Sequence, residues 1–274
     1  MQQLKPQSGT PDYVSAYQDN GVVVIPGVFS VPEINLLRSA AFMALTQIQK
    51  ISAAGYKHGA LEEVRHKNSP IPSTSPALLF WGALVNPVLD AFRTDRRLRE
   101  IVTNLLGPDV KQLNNQMYYR LPGDGDSFAW HQDIMFRTPL AEYPGIIEND
   151  AYLQTAIVVD RISKENGGIE FVYGSHKLGN LNLIEYPRDT RNLRGFSRDG
   201  SATPFAHLIS DVVEANPGDV MVWSSLTVHG SESNTSQQHR MYYMNGFAAA
   251  AHCQPWPWYT KDGILQPLDA SLIP

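Results

Sequence analysis

A chain of 274 residues, 43% of them hydrophobic, is long enough to bury one substantial core, and a single domain is expected over residues 1–274. Its 22 basic and 27 acidic residues give a net charge of −5 and are scattered, so no cationic stripe invites a nucleic-acid backbone or an anionic membrane. The lone cysteine, Cys253, rules out an internal disulfide and a thiolate metal cluster, and it reads as an inert packed thiol in a reducing compartment.

The opening "MQQLKPQSGT" has no basic start followed by an apolar run, and nowhere do 18 apolar residues follow one another. A cytoplasmic protein without membrane contact is therefore expected. Thr10 and Pro11 start a helix that "NG" at 20–21 closes, and "VVVIP" at 22–26 reads as a short buried strand. Ser30 with Glu33 three positions on forms a capping box. Beyond it Ile34, Leu37, Ala41, Leu45 and Ile48 recur at helical spacing up to Gly55. "NSPIPSTSPA", 68–77, reads as a loop; Asn86-Pro87 opens another helix, and Leu98, Ile101, Val102 and Leu105 mark one ending at Gly107. Residues 1–107 are thus mostly helical.

From there the period changes. Residues 109–120, 152–160, 169–173, 209–214, 220–225 and 240–248 are β-rich runs separated by turn chemistry such as "PGDGD", "SKENGG" and "NPGD". Successive strands without intervening helices predict an antiparallel sandwich or barrel, with the N-terminal helices packed outside it. Residues 177–207 lack apolar periodicity and are long for a connection, as lids and disordered segments are. The tail, 251–274, carries Trp256, Trp258 and Tyr259, and it is expected either to fold back or to meet a second copy of the chain in a homodimer.

The chemistry starts at "WHQD", 130–133. On an extended strand, residues two apart face one side, so His131 and Asp133 would present a nitrogen beside an oxygen. About one such His-x-acid pair arises by chance at this composition, so the pair alone is weak. His229, after the apolar strand "DVMVWSS" and a turn, adds a second imidazole. Two imidazoles and one carboxylate on one face are the donor set of non-haem Fe(II) sites that keep coordination positions open. Arg240 begins "RMYYMNGFA", read as a strand paired antiparallel with 220–225. An arginine aimed into an apolar interior needs an anion, and its planar fork matches a carboxylate. A small dicarboxylic acid satisfies it, with Ser231, two positions after His229, adding a hydroxyl.

His-Gln-Asp, "SKENGGIEFVYGSH" and "NPGDVMVWSSLTVHGSESNTSQQHR" together resemble the phytanoyl-CoA dioxygenase family of Fe(II)/2-oxoglutarate oxygenases over roughly 110–250. "YQDNGVVVIPGVFS", 17–30, resembles the family's opening strand. The resemblance implies an α+β, mainly β fold: a double-stranded β-helix, or cupin-like jelly roll, over 108–250, buttressed on one sheet by the helices of 1–107. It implies His131, Asp133 and His229 as iron ligands, Arg240 and Ser231 as holders of the distal carboxylate of 2-oxoglutarate, and Met117 as a residue lining that cosubstrate. It also implies O2 as oxidant, succinate and CO2 as products, and a small-molecule substrate.

Two positions depart from the family pattern. Tyr173 stands where a proline usually precedes Gly-Ser-His. An aromatic that often faces the cosubstrate is replaced in the region of Gln154, Thr155 and Ala156. Because Asp133 is a carboxylate where halogenating relatives have a small residue, hydroxylation is the expected outcome. No Lys and Arg run offers a coenzyme A phosphate site, which points to a small, fairly apolar metabolite instead. The competing accounts are a zinc-dependent hydrolase or lyase on the same triad, and a non-catalytic jelly-roll binding module. His176 is expected to bond backbone in its turn; Trp130, Phe136 and Arg137 flank the triad pair and are read as lining the substrate pocket, with core packing the alternative for the two aromatics and a surface ion pair the alternative for Arg137.

Overall fold

The computed structural model describes residues 11–53, 63–65, 76–120, 122–123, 127–136, 143–183 and 203–273. Helix α1 (Asp12–Asn20) ends at Gly21, whose left-handed φ of 75° lets its N–H reach the Tyr17 carbonyl. Strand β1 (Val22–Ile25) follows, then helix α2 (Val31–Ala53). The Glu33 carboxylate closes back on Ser30, accepting from its N–H and its hydroxyl at 2.7 Å each. The predicted stripe is real up to Leu45: Ile34, Leu37, Ala41 and Leu45 are all buried. Helices α3 (Pro87–Arg93) and α4 (Arg96–Leu106) are capped by Asn86 and Asp95, whose side chains accept from backbone N–H groups of the first turn.

Two short strands interrupt the helical third. β2 (Glu63–Arg65) pairs with β3 (Pro76–Phe80), which in turn lies against β4 (Val110–Arg120). The loop read over 68–77 therefore ends at 75 at the latest; residues 66–75 lie outside the described set. The remaining strands are β5 (Phe128–His131), β6 (Tyr152–Val158), β7 (Ile169–Val172), β8 (Ser210–Val212), β9 (Val220–Ser224), β10 (His229–Ser231), β11 (Arg240–Ala249), β12 (Trp258–Lys261) and β13 (Ile264–Leu265), with a short helix α5 (Pro144–Glu148) before β6.

They form two antiparallel sheets. The larger runs β1-β9-β6-β11-β4-β12-β13, with β3 and β2 added beside β4; the smaller runs β5-β10-β7-β8. Strands β9, β6, β11 and β4 facing β5, β10, β7 and β8 make the eight-stranded jelly roll. One prediction about pairing is corrected here. β11 bonds to β4 and β6, not to 220–225, because β6 lies between β9 and β11 in the sheet. A jelly roll threads its strands by crossovers, so neighbours in sequence are not neighbours in the sheet.

The larger sheet has two buried faces. One packs on the helices through Leu37, Leu89, Leu98, Val102, Met117, Val222, Tyr243 and Phe247. The other faces the small sheet through Ala156, Val158, Met221, Trp223, Tyr242 and Phe171. Within the helix side runs a polar chain. Arg93 donates to Gln112 (2.7 Å), Gln112 to Asn245 (3.1 Å), and Asn115 to both Asn245 (2.7 Å) and Tyr243 (2.6 Å), while Tyr243 donates to the Leu89 carbonyl (3.0 Å). These bonds lock α3 onto β4 and β11 in one register.

The tail folds back on its own chain. β12 pairs with β4, Tyr259 is fully buried against Phe247, and Trp256 packs with Leu113, Tyr152 and Cys253. Burial pushes the Cys253 thiol up to about 12, which leaves it protonated and unreactive. The described ends of the long connection, Leu183 and Phe205, pack with Trp130, Val172 and Val228. Trp130 and Val228 each adjoin a histidine of the site on a strand, so their side chains emerge on the opposite, outer face of the small sheet. Residues 184–202 lie outside the described set.

Asp150, in a left-handed conformation (φ 46°) before β6, accepts a hydrogen bond from the Ser224 hydroxyl. Burial lifts its pKa from 3.8 to about 6, with the Ser224 bond opposing. The folded chain then holds a proton that the unfolded chain has already released. This group's stabilisation is full below about pH 4 and is lost as pH rises through about 6, a swing of about 3 kcal/mol. Asparagine tolerates the same backbone and never ionises. Asp150→Asn is therefore expected to gain stability over wild type by about 2–3 kcal/mol between pH 4 and pH 7 in urea titrations; a gap that does not change with pH contradicts this.

Candidate metal and cosubstrate site

His131 is the last residue of β5 and His229 the first of β10, and the two strands pair so that these residues face each other directly. Their rings lie 4.1 Å apart. Asp133 is not on the strand, as the spacing predicts, but opens a 3₁₀ turn over Asp133–Phe136. The turn still carries its carboxylate back toward both rings. Asp133 Oδ1 is 3.8 Å from His131 Nε2, and Oδ2 is 3.7 Å from His229 Nε2. One ligand atom from each residue lies within 4.8 Å of the others, and all three side chains are buried.

Each histidine is oriented from behind. His131 Nδ1 bonds the Ala129 carbonyl and His229 Nδ1 the Thr227 carbonyl, both at 2.8 Å. A carbonyl only accepts, so each Nδ1 carries the proton and each Nε2 turns a lone pair to the centre. Burial, then the adjacent His229, pushes the His131 imidazole down to about 3, so it is neutral at ordinary pH. Phe171 stacks on His229 (5.3 Å, 23°), and Phe128 and Phe136 flank His131. Two imidazoles and one carboxylate converging on one point fit a divalent first-row metal such as Fe(II).

The carboxylate has a partner that the sequence reading missed. Trp223, on β9, donates its indole N–H to Asp133 Oδ2 at 2.8 Å. A tryptophan inside an apolar strand reads as core, yet a buried indole N–H needs an acceptor, and that need was the available signal. Trp223→Phe keeps the packing and removes the donor. It is expected to weaken metal affinity about 10- to 100-fold, read by chelator competition, with far-UV dichroism unchanged; equal affinity counts against this role. Gln132, between the ligands, faces away. It donates to the Gly179 and Leu226 carbonyls and accepts from the Leu181 N–H, tying the start of the long connection to the triad's turn.

A cavity of about 330 Å³ opens in front of the triad, lined by Leu78, Phe80, Asn114, Gln116, Tyr118, Phe128, Phe136, Gln154, Trp223, Ser231, Tyr242 and Met244, among others. Ser231 is among its walls, two residues beyond His229. Met117 is not, and the cosubstrate-lining role read for it is corrected. Met117 lies in the helix-side cluster, because on β4 it is Gln116 and Tyr118 that reach the cavity. Trp130 also faces elsewhere, whereas Phe136 lines the rim; Arg137 lies outside the described residues.

Arg240 is fully buried, two residues below Tyr242 on the strand whose Tyr242 and Met244 line the cavity, though it does not itself line it. It pairs across the sheet with Arg120, also buried and not singled out by the sequence reading. Arg120 donates to the Tyr118 hydroxyl at 3.0 Å, and Tyr118 stacks on Tyr242 at 4.7 Å. Burial raises the Tyr242 hydroxyl well above its usual range, with Arg240 and Arg120 pulling the other way. A cationic end thus lies behind a stacked tyrosine pair, along the strands from the metal-binding end. His176 sits apart, its Nε2 bonded to the Gln18 carbonyl at 3.0 Å.

A jelly roll with two histidines and one aspartate converging at its mouth defines the class of non-haem iron oxygenases. Within that class the chain belongs to the phytanoyl-CoA dioxygenase family, whose model matches residues 17–242. It is 26% identical over 169 residues to a protein of Stutzerimonas stutzeri named "Probable alpha-ketoglutarate-dependent hypophosphite dioxygenase", covering 62% of this chain and 54% of that one. It is 25% identical over 227 residues to the ectoine dioxygenase of Sphingopyxis alaskensis, covering 80% of this chain and 69% of the relative. Among solved structures, EctD from S. alaskensis with bound Fe superposes with a TM-score of 0.66 at 20% identity, over 93% of this chain and 80% of that one. The carbocyclase SnoK from nogalamycin biosynthesis gives 0.63 at 19%, over 96% and 93%. No helix among the described residues is long and apolar enough to cross a membrane.

Proposed function

We propose that the chain is an Fe(II)- and 2-oxoglutarate-dependent dioxygenase that hydroxylates an unactivated C–H bond of a small metabolite. Substrate, 2-oxoglutarate and O2 are consumed, and the alcohol, succinate and CO2 are released. The observation that carries this reading is the triad itself: two Nε2 lone pairs and a carboxylate within 4.8 Å, each held by a second bond from behind. When bound by His131, Asp133 and His229, iron supplies the oxygen activation that no protein side chain provides. The relatives named as dioxygenases, one of them alpha-ketoglutarate-dependent, support the same assignment.

The chain's own residues bind, orient and exclude water. Ser231 and Arg240 hold the distal carboxylate of 2-oxoglutarate, the guanidinium matching it bidentately. Asp133 occupies a ligand position with its own carboxylate, which favours hydroxylation over halogenation. Phe128, Phe136, Leu78 and Phe80 give the cavity an apolar rim that excludes bulk water from the reacting carbon. A volume of about 330 Å³ lies at the small end of ligand cavities, so the substrate is small. Anaerobically prepared protein supplied with Fe(II), 2-oxoglutarate, O2 and a panel of neutral metabolites is expected to release succinate in step with an oxidised product. No succinate under any of these conditions sinks the assignment.

A further inference from the structure

One row of side chains beside the triad has no duty in the scheme above. Gln154 of β6, Gly246 of β11 and Asn114 of β4 are cross-strand neighbours on the larger sheet, and Gln154 is paired on its other side with Trp223. Since Trp223 holds Asp133, this row lies alongside the metal-binding end. Asn114 and Gln154 are each 1% exposed and both line the cavity. Asn114 Nδ2 and Gln154 Oε1 are enclosed without any hydrogen-bond partner in the protein, whereas Gln154 Nε2 donates to the Tyr152 hydroxyl at 2.9 Å.

Two orphaned amide atoms, one donor and one acceptor, are costly to bury unless an occupant completes them. The chain also keeps space between them. A Cβ on Gly246 would stand 2.7 Å from Gln154 Oε1 and 3.0 Å from the Asn114 Cβ, so only glycine leaves both amides where they are. Asn114 faces the cavity by the same alternation that turns Gln116 and Tyr118 inward, and the bulge between Gly246 and Phe247, where β4 carries Leu113 as the extra residue, comes only beyond it. Terminal amide torsions are soft, so either group can turn its free atom onto an occupant.

We infer that Asn114 and Gln154 form the subsite that recognises the primary substrate by a neutral carboxamide or lactam group, its C=O accepting from Asn114 and its N–H donating to Gln154. This rests on the cavity being the active site of the proposed dioxygenase. Outside the triad, none of the described residues lining the cavity is charged, so an ionised group would meet no counter-charge from them at this end. The apolar lining of Leu78, Phe80, Phe128 and Phe136 suits an apolar body attached to that group. A ketone or ester only accepts and would leave the Gln154 oxygen unpaired; a site built for a donor rejects analogues lacking it. The distal carboxylate of the cosubstrate does not answer these amides, because Arg240, its anchor, leaves β11 six residues from Gly246, about 20 Å between their backbones at strand rise.

The test uses matched probes, 2-piperidone against cyclohexanone and benzamide against acetophenone. Ligand-observed NMR measures their binding to the full chain, once metal-free and once loaded with Zn(II) and 2-oxoglutarate. The amide of each pair is expected to bind at least about tenfold tighter, the discrimination one unpaired buried group imposes. In Gln154→Leu and Asn114→Leu that preference should fall to about twofold or less. Gln154→Met, close in length and without the amide acceptor, serves as a second variant if a leucine variant melts early. Equal or undetectable binding of both members, a preference surviving in these variants, or a tenfold loss of 2-oxoglutarate affinity in them would overturn the inference. Failure of 2-oxoglutarate to bind the zinc-loaded wild type strikes instead at the dioxygenase reading, since amide preference is also read without metal.

Discussion

His131→Ala is expected to abolish stoichiometric metal binding and with it all succinate release, the largest functional loss any single change at this site produces. Removing one of three protein ligands takes the lone pair that β5 delivers opposite His229, and no other buried donor among the described residues stands within the 4.8 Å circle to replace it. The fold should survive. The ring contributes one bond to the Ala129 carbonyl and contacts with Phe128 and Phe136, both of which are partly exposed. Metal content by mass spectrometry after Fe(II) or Mn(II) loading reads the effect directly. Full occupancy in the variant would mean that the three side chains merely pack, as in a binding module.

The second large effect falls on stability rather than chemistry. Asn115→Ala removes the acceptor of the Ala83 N–H (3.2 Å) and the donor to Tyr243 and Asn245, all inside the helix-side core. Ala83 N–H is then buried without a partner, Asn245 keeps one donor of two, and a cavity opens where the amide was. Together these cost about 2–5 kcal/mol, or a melting temperature about 5–15 °C lower. Activity per folded molecule should persist, because Asn115 faces the helices while Asn114 and Gln116 face the cavity. Urea denaturation checks it, and a loss under about 1 kcal/mol would show that water or a neighbour readily replaces the amide.

How far the sequence could be read depended on the kind of signal each element carried. Runs rich in β-branched and aromatic residues between turn signals announced themselves, so β4, β6, β7, β8, β9 and β11 fall within a residue or two of their predicted bounds. β3, β5 and β10 have three to five residues and no alternation, and only pairing in the assembled sheets makes them strands. His131, Asp133 and His229 could be chosen because ligand chemistry restricts residue type, even though Asp133 sits on a turn rather than on the strand assumed. Residue type says nothing of which way a side chain points. Met117 was placed on the wrong face for that reason, since the inward parity of β4 follows from its register with β11, a long-range fact. The same register sets Arg120 beside Arg240, and a bulge sends Gln112 to the helix side, out of phase with Asn114. Trp223 was legible only as core, because its acceptor is ninety residues away.

The central claim is a metal-dependent 2-oxoglutarate site, and titration calorimetry of 2-oxoglutarate into protein loaded anaerobically with Fe(II) or Mn(II) tests it most directly. One equivalent should bind the metal-loaded wild type, with no binding to metal-free protein or His131→Ala, and at least about tenfold weaker binding in Arg240→Met. Metal loading without any heat from 2-oxoglutarate, or 2-oxoglutarate affinity indifferent to both Arg240 and the metal, would contradict the account and favour a hydrolytic metal centre on the same scaffold.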